Sequence, residues 1–124
     1  MEVKFLKCME CGKIVDVLES SACDIKCCGT TMVEIVANTV DAAKEKHIPV
    51  VENNGNDVKV SVGSILHPMD DNHYIKWIYI VTNLGNYRFN LKPGDTPVIT
   101  FKLNDNETII DTYAYCNLHG LWEK

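Results

Sequence analysis

Thr108-Ile109-Ile110-Asp111-Thr112-Tyr113-Ala114-Tyr115-Cys116-Asn117-Leu118-His119-Gly120-Leu121-Trp122 joins a strand-like run to a cysteine and a histidine three residues apart. Thr108 to Tyr115 is rich in β-branched and aromatic residues, which fit a pleated, half-buried surface. The same signal recurs upstream. Asp57 to Val62 (DVKVSV) has valine at every second position, Ile75 to Thr82 (IKWIYIVT) is β-branched and aromatic, and Pro97 to Leu103 (PVITFKL) reads alike. Turn residues separate these runs at Asn53-Asn54-Gly55-Asn56, Leu84-Gly85-Asn86, Lys92-Pro93-Gly94-Asp95 and Asn104-Asp105-Asn106. Many short strands with polar turns predict an all-β domain, a sandwich or a barrel.

Cys116 and His119 stand at the end of the last such strand. The chain has three other histidines, His47, His67 and His73, each in a loop or at a strand end: His47 before Ile48-Pro49, His67 before Pro68, and His73 in the polar loop HPMDDNH. Loops and strand ends let side chains from distant segments converge. One thiolate and four imidazoles suit iron or copper better than a closed structural zinc site. Two other arrangements use the same residue types. A Cys–His pair can act as a nucleophile, but would leave three histidines unexplained. A blue-copper site takes His, Cys, His and a weak axial ligand such as Met69, but has no place for a fourth histidine.

Five of the six cysteines lie in the first 28 residues, so ligand chemistry divides between a sulfur end and an imidazole end. This division points to two modules. Residues 1–37 hold three short alternating runs, Val3 to Lys7, Lys13 to Glu19 and Thr31 to Val36. Cys8-x-x-Cys11 and, 15 residues on, Cys27-Cys28 supply four thiolates, suited to tetrahedral zinc or iron. Adjacent cysteines ordinarily point to opposite sides, so Cys27-Cys28 requires a distorted backbone to converge. Gly12 and Gly29, each following a cysteine, supply the positive φ of metal-binding turns. A structural zinc ribbon reads the same way. Cys23 is a fifth sulfur, a spare thiol or a substitute for Cys27. So short a module buries little core and needs a metal, a disulfide or a partner subunit. Residues 38–45 (NTVDAAKE) read as a linker in which Asn38 or Thr39 caps one helical turn.

The net charge of −5 argues against nucleic acid and against an anionic membrane surface. No apolar run approaches the roughly 20 residues of a spanning helix. The N-terminal sequence has no long apolar core of a secretion signal, so the expected compartment is the cytoplasm. There, six cysteines read as ligands rather than disulfides.

Together, Cys8-x2-Cys11-x15-Cys27-Cys28, Glu45-Lys46-His47-x-Pro49, His67-Pro68-Met69, His73 and Cys116-Asn117-Leu118-His119-Gly120-Leu121-Trp122 resemble the desulfoferrodoxins, the two-iron class of superoxide reductase. The resemblance covers essentially the whole chain. It implies a desulforedoxin-like module holding one iron on Cys8, Cys11, Cys27 and Cys28, followed by an immunoglobulin-like sandwich over residues 46–124. There a catalytic iron would take His47, His67, His73 and His119 in a plane, with the Cys116 sulfur axial and the sixth position open. The implied reaction is one-electron reduction of superoxide to hydrogen peroxide, fed by rubredoxin or a similar small donor, in a homodimer. Beside His47, Lys46 would draw in the anion and help deliver protons, and Glu45 would take the open position once the iron is ferric. A plain electron carrier using only the tetrathiolate iron, or a zinc-stapled binding module, would not need the five-ligand set at the C-terminal end.

Overall fold

The computed structural model describes residues 3–124, which divide into two units, one ending at Val36 and one running from Ala37 to Lys124. In the first, β1 (Phe5–Lys7) is the central strand of an antiparallel sheet between β2 (Ile14–Asp16) and β5 (Val33–Glu34). A second ladder pairs β3 (Lys26–Cys27) with β4 (Thr30–Thr31). Among the described residues of this unit, only Phe5, Cys8 and Met32 are buried apolar side chains. Three such residues cannot offset the ordering of so many others, so the sulfur ligands must contribute to holding the unit together.

The second unit holds one helical turn, α1 (Lys44–His47), and seven strands: β6 (Pro49–Asn54), β7 (Asp57–Val62), β8 (Ile75–Thr82), β9 (Asn86–Asn90), β10 (Val98–Lys102), β11 (Ile109–Cys116) and β12 (Gly120–Glu123). They form two antiparallel sheets, ordered β10-β7-β6 and β12-β11-β8-β9. Three strands facing four is the immunoglobulin-type sandwich. Alternation builds its core: Val58, Val60 and Val62 from one sheet meet Ile78, Ile80, Ala114 and Cys116 from the other, all buried. Cys116 thus enters the site as the last core residue of β11.

At that end the β11–β8 ladder slips. Tyr115 pairs with Trp77 but Cys116 with Ile75, so Lys76 is bulged out. A bulge re-aims the strand end where the site begins.

The expected strands Asp57 to Val62 and Ile75 to Thr82 match β7 and β8 residue for residue. β6, β9 and β12 gave no clear signal, and all three are edge strands, which carry polar residues on their open side. The expectation that Asn38 caps a helical turn requires correction. Asn38 caps no helix: its φ is +62°, its side-chain amide donates to the Glu123 carbonyl (3.0 Å) and its Oδ1 accepts the Glu123 N–H (2.9 Å). Asn38 is therefore tied to β12. The helical turn comes later, at Lys44–His47, behind Ala43, which makes no side-chain cap. No helix among the described residues is long and apolar enough to cross a membrane.

The end of the sandwich away from Cys116 is fastened by Glu107, buried at the close of the β10–β11 connection. Its carboxylate accepts from Thr82 Oγ1 (2.5 Å), Tyr87 Oη (2.8 Å), the Asn104 N–H (3.0 Å) and Asn104 Nδ2 (3.1 Å). The Thr82 hydroxyl, then the Asn104 amide, hold its pKa below the ordinary carboxylate value. A depressed folded-state pKa contributes stability above the ordinary value and loses it as pH falls through the folded value. Glu107→Gln is expected to lower the thermal midpoint at neutral pH and flatten its decline in acid. Midpoints that follow pH as steeply as in the unsubstituted chain would remove Glu107 from that role.

Candidate metal centres

Three segments of the sandwich unit deliver five ligating side chains to one place. His47 arrives on α1, whose position is set against the turn after β7. The Glu45 carbonyl accepts the Ile65 N–H (3.0 Å) and the Ser64 hydroxyl (3.2 Å). Gly63 makes this approach feasible: a Cβ there would stand 2.6 Å from the Glu45 carbonyl oxygen and 3.0 Å from that of Ile48. His67 closes the same turn, its N–H donating to the Val62 carbonyl (2.7 Å). His73 lies in the loop before β8, bridged to Asp70 by two backbone hydrogen bonds (2.9 and 3.2 Å). Cys116 ends β11, and His119 lies in the turn that Gly120 closes with φ +77°. Buried Trp122 donates its indole N–H to the His119 carbonyl (3.1 Å) and lays its ring against His47, centroids 4.8 Å apart.

Tautomers follow from these surroundings. His47 Nδ1 is 2.6 Å from the Ala43 carbonyl and His67 Nδ1 is 2.6 Å from that of Pro68, so each carries its proton on Nδ1. Both Nε2 atoms are then bare lone pairs, and they stand 3.2 Å apart. His47 Nε2 is also 3.1 Å from His119 Nδ1. His73 Nε2 is buried with no protein partner. All five ligand atoms, including Cys116 Sγ, lie within 4.8 Å of one another. Lone pairs facing each other repel unless a cation lies among them, so the donor set fits a metal ion.

Ring positions define the shape of the set. Going round, His47–His67, His67–His73, His73–His119 and His119–His47 have centroids 4.6, 4.6, 5.1 and 5.0 Å apart, with neighbouring planes crossed at 76–83°. His47 and His73 are 6.4 Å apart, as opposite corners should be. Cys116 Sγ is 3.4 Å from His67 Nε2 and 3.8 Å from His119 Nδ1, two nitrogens on the other diagonal. The sulfur therefore stands close to both corners of that diagonal.

Burial, then in smaller part the neighbouring rings, pushes His47 below its ordinary pKa; burial takes His67 down to about 4 and also lowers His73. Neutral imidazole is the ligating form, so these rings have no proton to release at neutral pH. Burial raises the Cys116 thiol, while the backbone N–H groups of His119 and Leu118 pull it down. A metal cation would complete that shift.

The first unit assembles Cys8, Cys11, Cys27 and Cys28, whose sulfurs also lie within 4.8 Å of one another. Cys28 has φ +54°, the distortion that turns adjacent cysteines to one side, and Gly12 and Gly29 stand at +83° and +74°. The backbone N–H groups of Cys11, and less so Glu10, hold Cys8 down to about 6, while the sulfurs of Cys8 and Cys11 push Cys27 up to about 12. Four thiolates this close cannot all ionise without a cation, so this set also fits a metal.

Cys23 is exposed, a free thiol outside the four-sulfur group. The Met69 sulfur accepts the Ile75 N–H (3.4 Å), which engages it in the loop around His73. Glu45 and Lys46 are exposed on α1; the field of Glu45 reaches His47 and that of Lys46 reaches His73. Sequence reasoning missed the supports: the Ala43 and Pro68 carbonyls, which are backbone and leave no residue signal, and Gly63, whose only trace is a glycine directly after a strand.

A sulfur site in a small β unit and an imidazole–thiolate site at one end of an immunoglobulin-type sandwich define a two-centre, non-haem iron protein. The family model described as desulfoferrodoxin matches residues 39–124. The sequence is 46% identical over 121 residues to a desulfoferrodoxin of Syntrophotalea carbinolica, covering 98% of this chain and 94% of that one. The fold is similar to the crystal structure of the superoxide reductase from Treponema pallidum, with TM-score 0.83 and 36% identity, covering 100% of this chain and 99% of that chain. It is also similar to a superoxide reductase (1Fe-SOR) from Giardia intestinalis, with TM-score 0.52 and 36% identity, over 65% of this chain and 96% of that one. The chain belongs to the desulfoferrodoxin family, and its two ligand groups match the two iron centres of that family.

Because Gly63 leaves no room for a Cβ, Gly63→Ala is expected to displace α1 and His47. Metal analysis should find iron retained on the four cysteines and lost from the histidine site. Full occupancy of both sites would show that α1 tolerates the shift.

Proposed function

We propose that this chain is a superoxide reductase, with His47, His67, His73, His119 and Cys116 holding the catalytic iron. The convergence of four ring nitrogens and one sulfur within 4.8 Å carries this reading. When bound, the iron supplies one electron, passing from ferrous to ferric as superoxide takes up two protons and becomes hydrogen peroxide. The buried rings stay neutral and leave the positive charge of the site uncancelled, which favours an anion. The Cys116 thiolate would be the fifth protein ligand, and a sixth position would be left to substrate. The N–H groups of Leu118 and His119 moderate its donation.

Lys46 and Glu45 are read as the residues that handle substrate. Net charge of −5 repels superoxide at long range, so a local cation is needed. Lys46 Nζ draws the anion in and holds a proton, or an ordered water, for the product. Glu45 would take the position left free of the other protein ligands after turnover. Support for both comes from their place on the turn that carries His47 and from the reach of their charges to His47 and His73.

The same reading assigns residues 1–37 to a tetrathiolate iron module on Cys8, Cys11, Cys27 and Cys28, 38–45 to a linker and 46–124 to the catalytic sandwich. A rubredoxin-like protein is the proposed donor, since each turnover consumes one electron. The thin core of the first unit, with Leu18 and Val33 exposed, supports a homodimer. Six free cysteines suit a reducing compartment, the cytoplasm.

The deciding experiment follows the visible and EPR spectra of reduced, iron-loaded protein as superoxide is added. A thiolate-to-iron band that grows with oxidation, together with peroxide and no oxygen, is expected. Iron-loaded protein inert to superoxide would sink the reading. Lys46→Ala is expected to slow the bimolecular step by roughly tenfold at low salt and to weaken its dependence on ionic strength. Stopped-flow rates identical to the unsubstituted chain at every ionic strength would remove Lys46 from the encounter.

A further inference from the structure

Three of the four rings at the imidazole–thiolate site have evident anchors. His47 and His67 each have Nδ1 on a carbonyl, and His119 is held through its own carbonyl by Trp122. Among the described residues the His73 ring has no carbonyl and its buried Nε2 has no protein partner, and its backbone bonds (2.9 and 3.2 Å) run to Asp70 of its own loop. The surrounding loop, Asp70-Asp71-Asn72, is exposed and adds nothing to the core. Something else must fix that corner of the array.

We propose that Asn117 is the positioning residue for His73, an inference that rests on reading the five-ligand set as the iron site. Asn117 Oδ1 accepts the Tyr74 N–H (3.0 Å) and Asn117 Nδ2 donates to the Asn72 carbonyl (3.1 Å). These two bonds land on the residues immediately before and after His73. A third, from the Asn117 N–H to the Tyr74 carbonyl (3.1 Å), extends the ladder past Cys116. One side chain thus brackets the His73 ligand and ties it to the turn carrying Cys116 and His119. The task needs an acceptor and a donor on one short side chain. Aspartate would keep the Tyr74 bond and lose the Asn72 bond. His73 and Cys116 are thereby held as one body.

The molecule contains its own control. At the other end of β8, Asn83 Oδ1 accepts the Thr108 N–H (2.8 Å) and Asn83 Nδ2 donates to the Asn106 carbonyl (3.0 Å). This is the same two-bond clamp across the same pair of strands, at the end without ligands. Loss of either clamp should loosen a loop; only loss of the Asn117 clamp should reach the iron.

The test compares the iron-loaded full chain with Asn117→Ala, Asn117→Asp and Asn83→Ala. It reads the thermal midpoint, the ferric EPR signal and thiolate-to-iron band, and the rate at which a chelator strips the histidine site. Asn117→Ala and Asn83→Ala should lower the midpoint alike. Only Asn117→Ala should alter the EPR signal and release iron faster, by about 10- to 100-fold, as for other groups that support metal ligands. Asn117→Asp should fall between, and serves alone if the alanine variant does not fold. Asn117 variants with unsubstituted spectra and release rates, or an Asn83→Ala chain that loses iron as fast, would overturn the proposal. An unsubstituted chain that cannot hold iron on its histidines would sink the site reading itself, and the proposal with it.

Discussion

Four ring nitrogens and a sulfur, brought together in a buried spot with their lone pairs facing inward, are unfavourable on their own. His47 Nε2 is 3.2 Å from His67 Nε2, a distance at which bare lone pairs repel. The surroundings cannot relieve this by proton exchange, because the Ala43 and Pro68 carbonyls hold the protons on the far nitrogens and burial disfavours a second proton. The fold therefore builds a place whose own chemistry is incomplete. Its elements are arranged to hold these ligands still until a cation is present.

That demand explains where the irregular backbone lies. The interior of the sandwich is ordinary alternation, with Val58, Val60 and Val62 against Ile78, Ile80 and Ala114. Three departures lie at the ligand end, the bulge at Lys76, the close contact at Gly63 and the positive φ at Gly120, while a second slip of the β11–β8 ladder, between Ile109 and Asp111, lies at the other. Ligands from distant segments can share one point only if each arriving segment bends sharply, and a two-sheet core leaves bending to the strand ends. The other end of the sandwich is closed by polar bonds around Glu107 and by a conventional loop clamp at Asn83.

How much of this could be read from the chain depends on what carried the information. Strands buried on the inner face, such as Asp57–Val62, announce themselves by alternation, and their limits were legible to the residue. Edge strands such as Asn86–Asn90 pair on one side only and carry too few apolar residues to signal. Asn38 misled because its side chain serves the β12 edge, and nothing local distinguishes that use from a helix cap. The residue types and spacing of the ligands were legible, since few chemistries use them. The groups that orient the ligands were not, because carbonyls carry no residue identity and Gly63 acts by lacking a side chain.

The two ligand sets also explain why one centre is suited to an anionic substrate and the other is not. A ferrous ion among four neutral rings and one thiolate retains one positive charge, whereas a ferric ion among four thiolates carries one negative charge. The first charge would favour an anion; the second would repel one, and four thiolates would complete a tetrahedral set. Protein electrostatics sharpen the contrast. Burial holds His47 and His67 below their ordinary pKa, and the positive field of exposed Lys46 reaches His73 in a chain whose net charge is −5. Donor type thus gives the two centres opposite net charge, and the surrounding protein widens the difference.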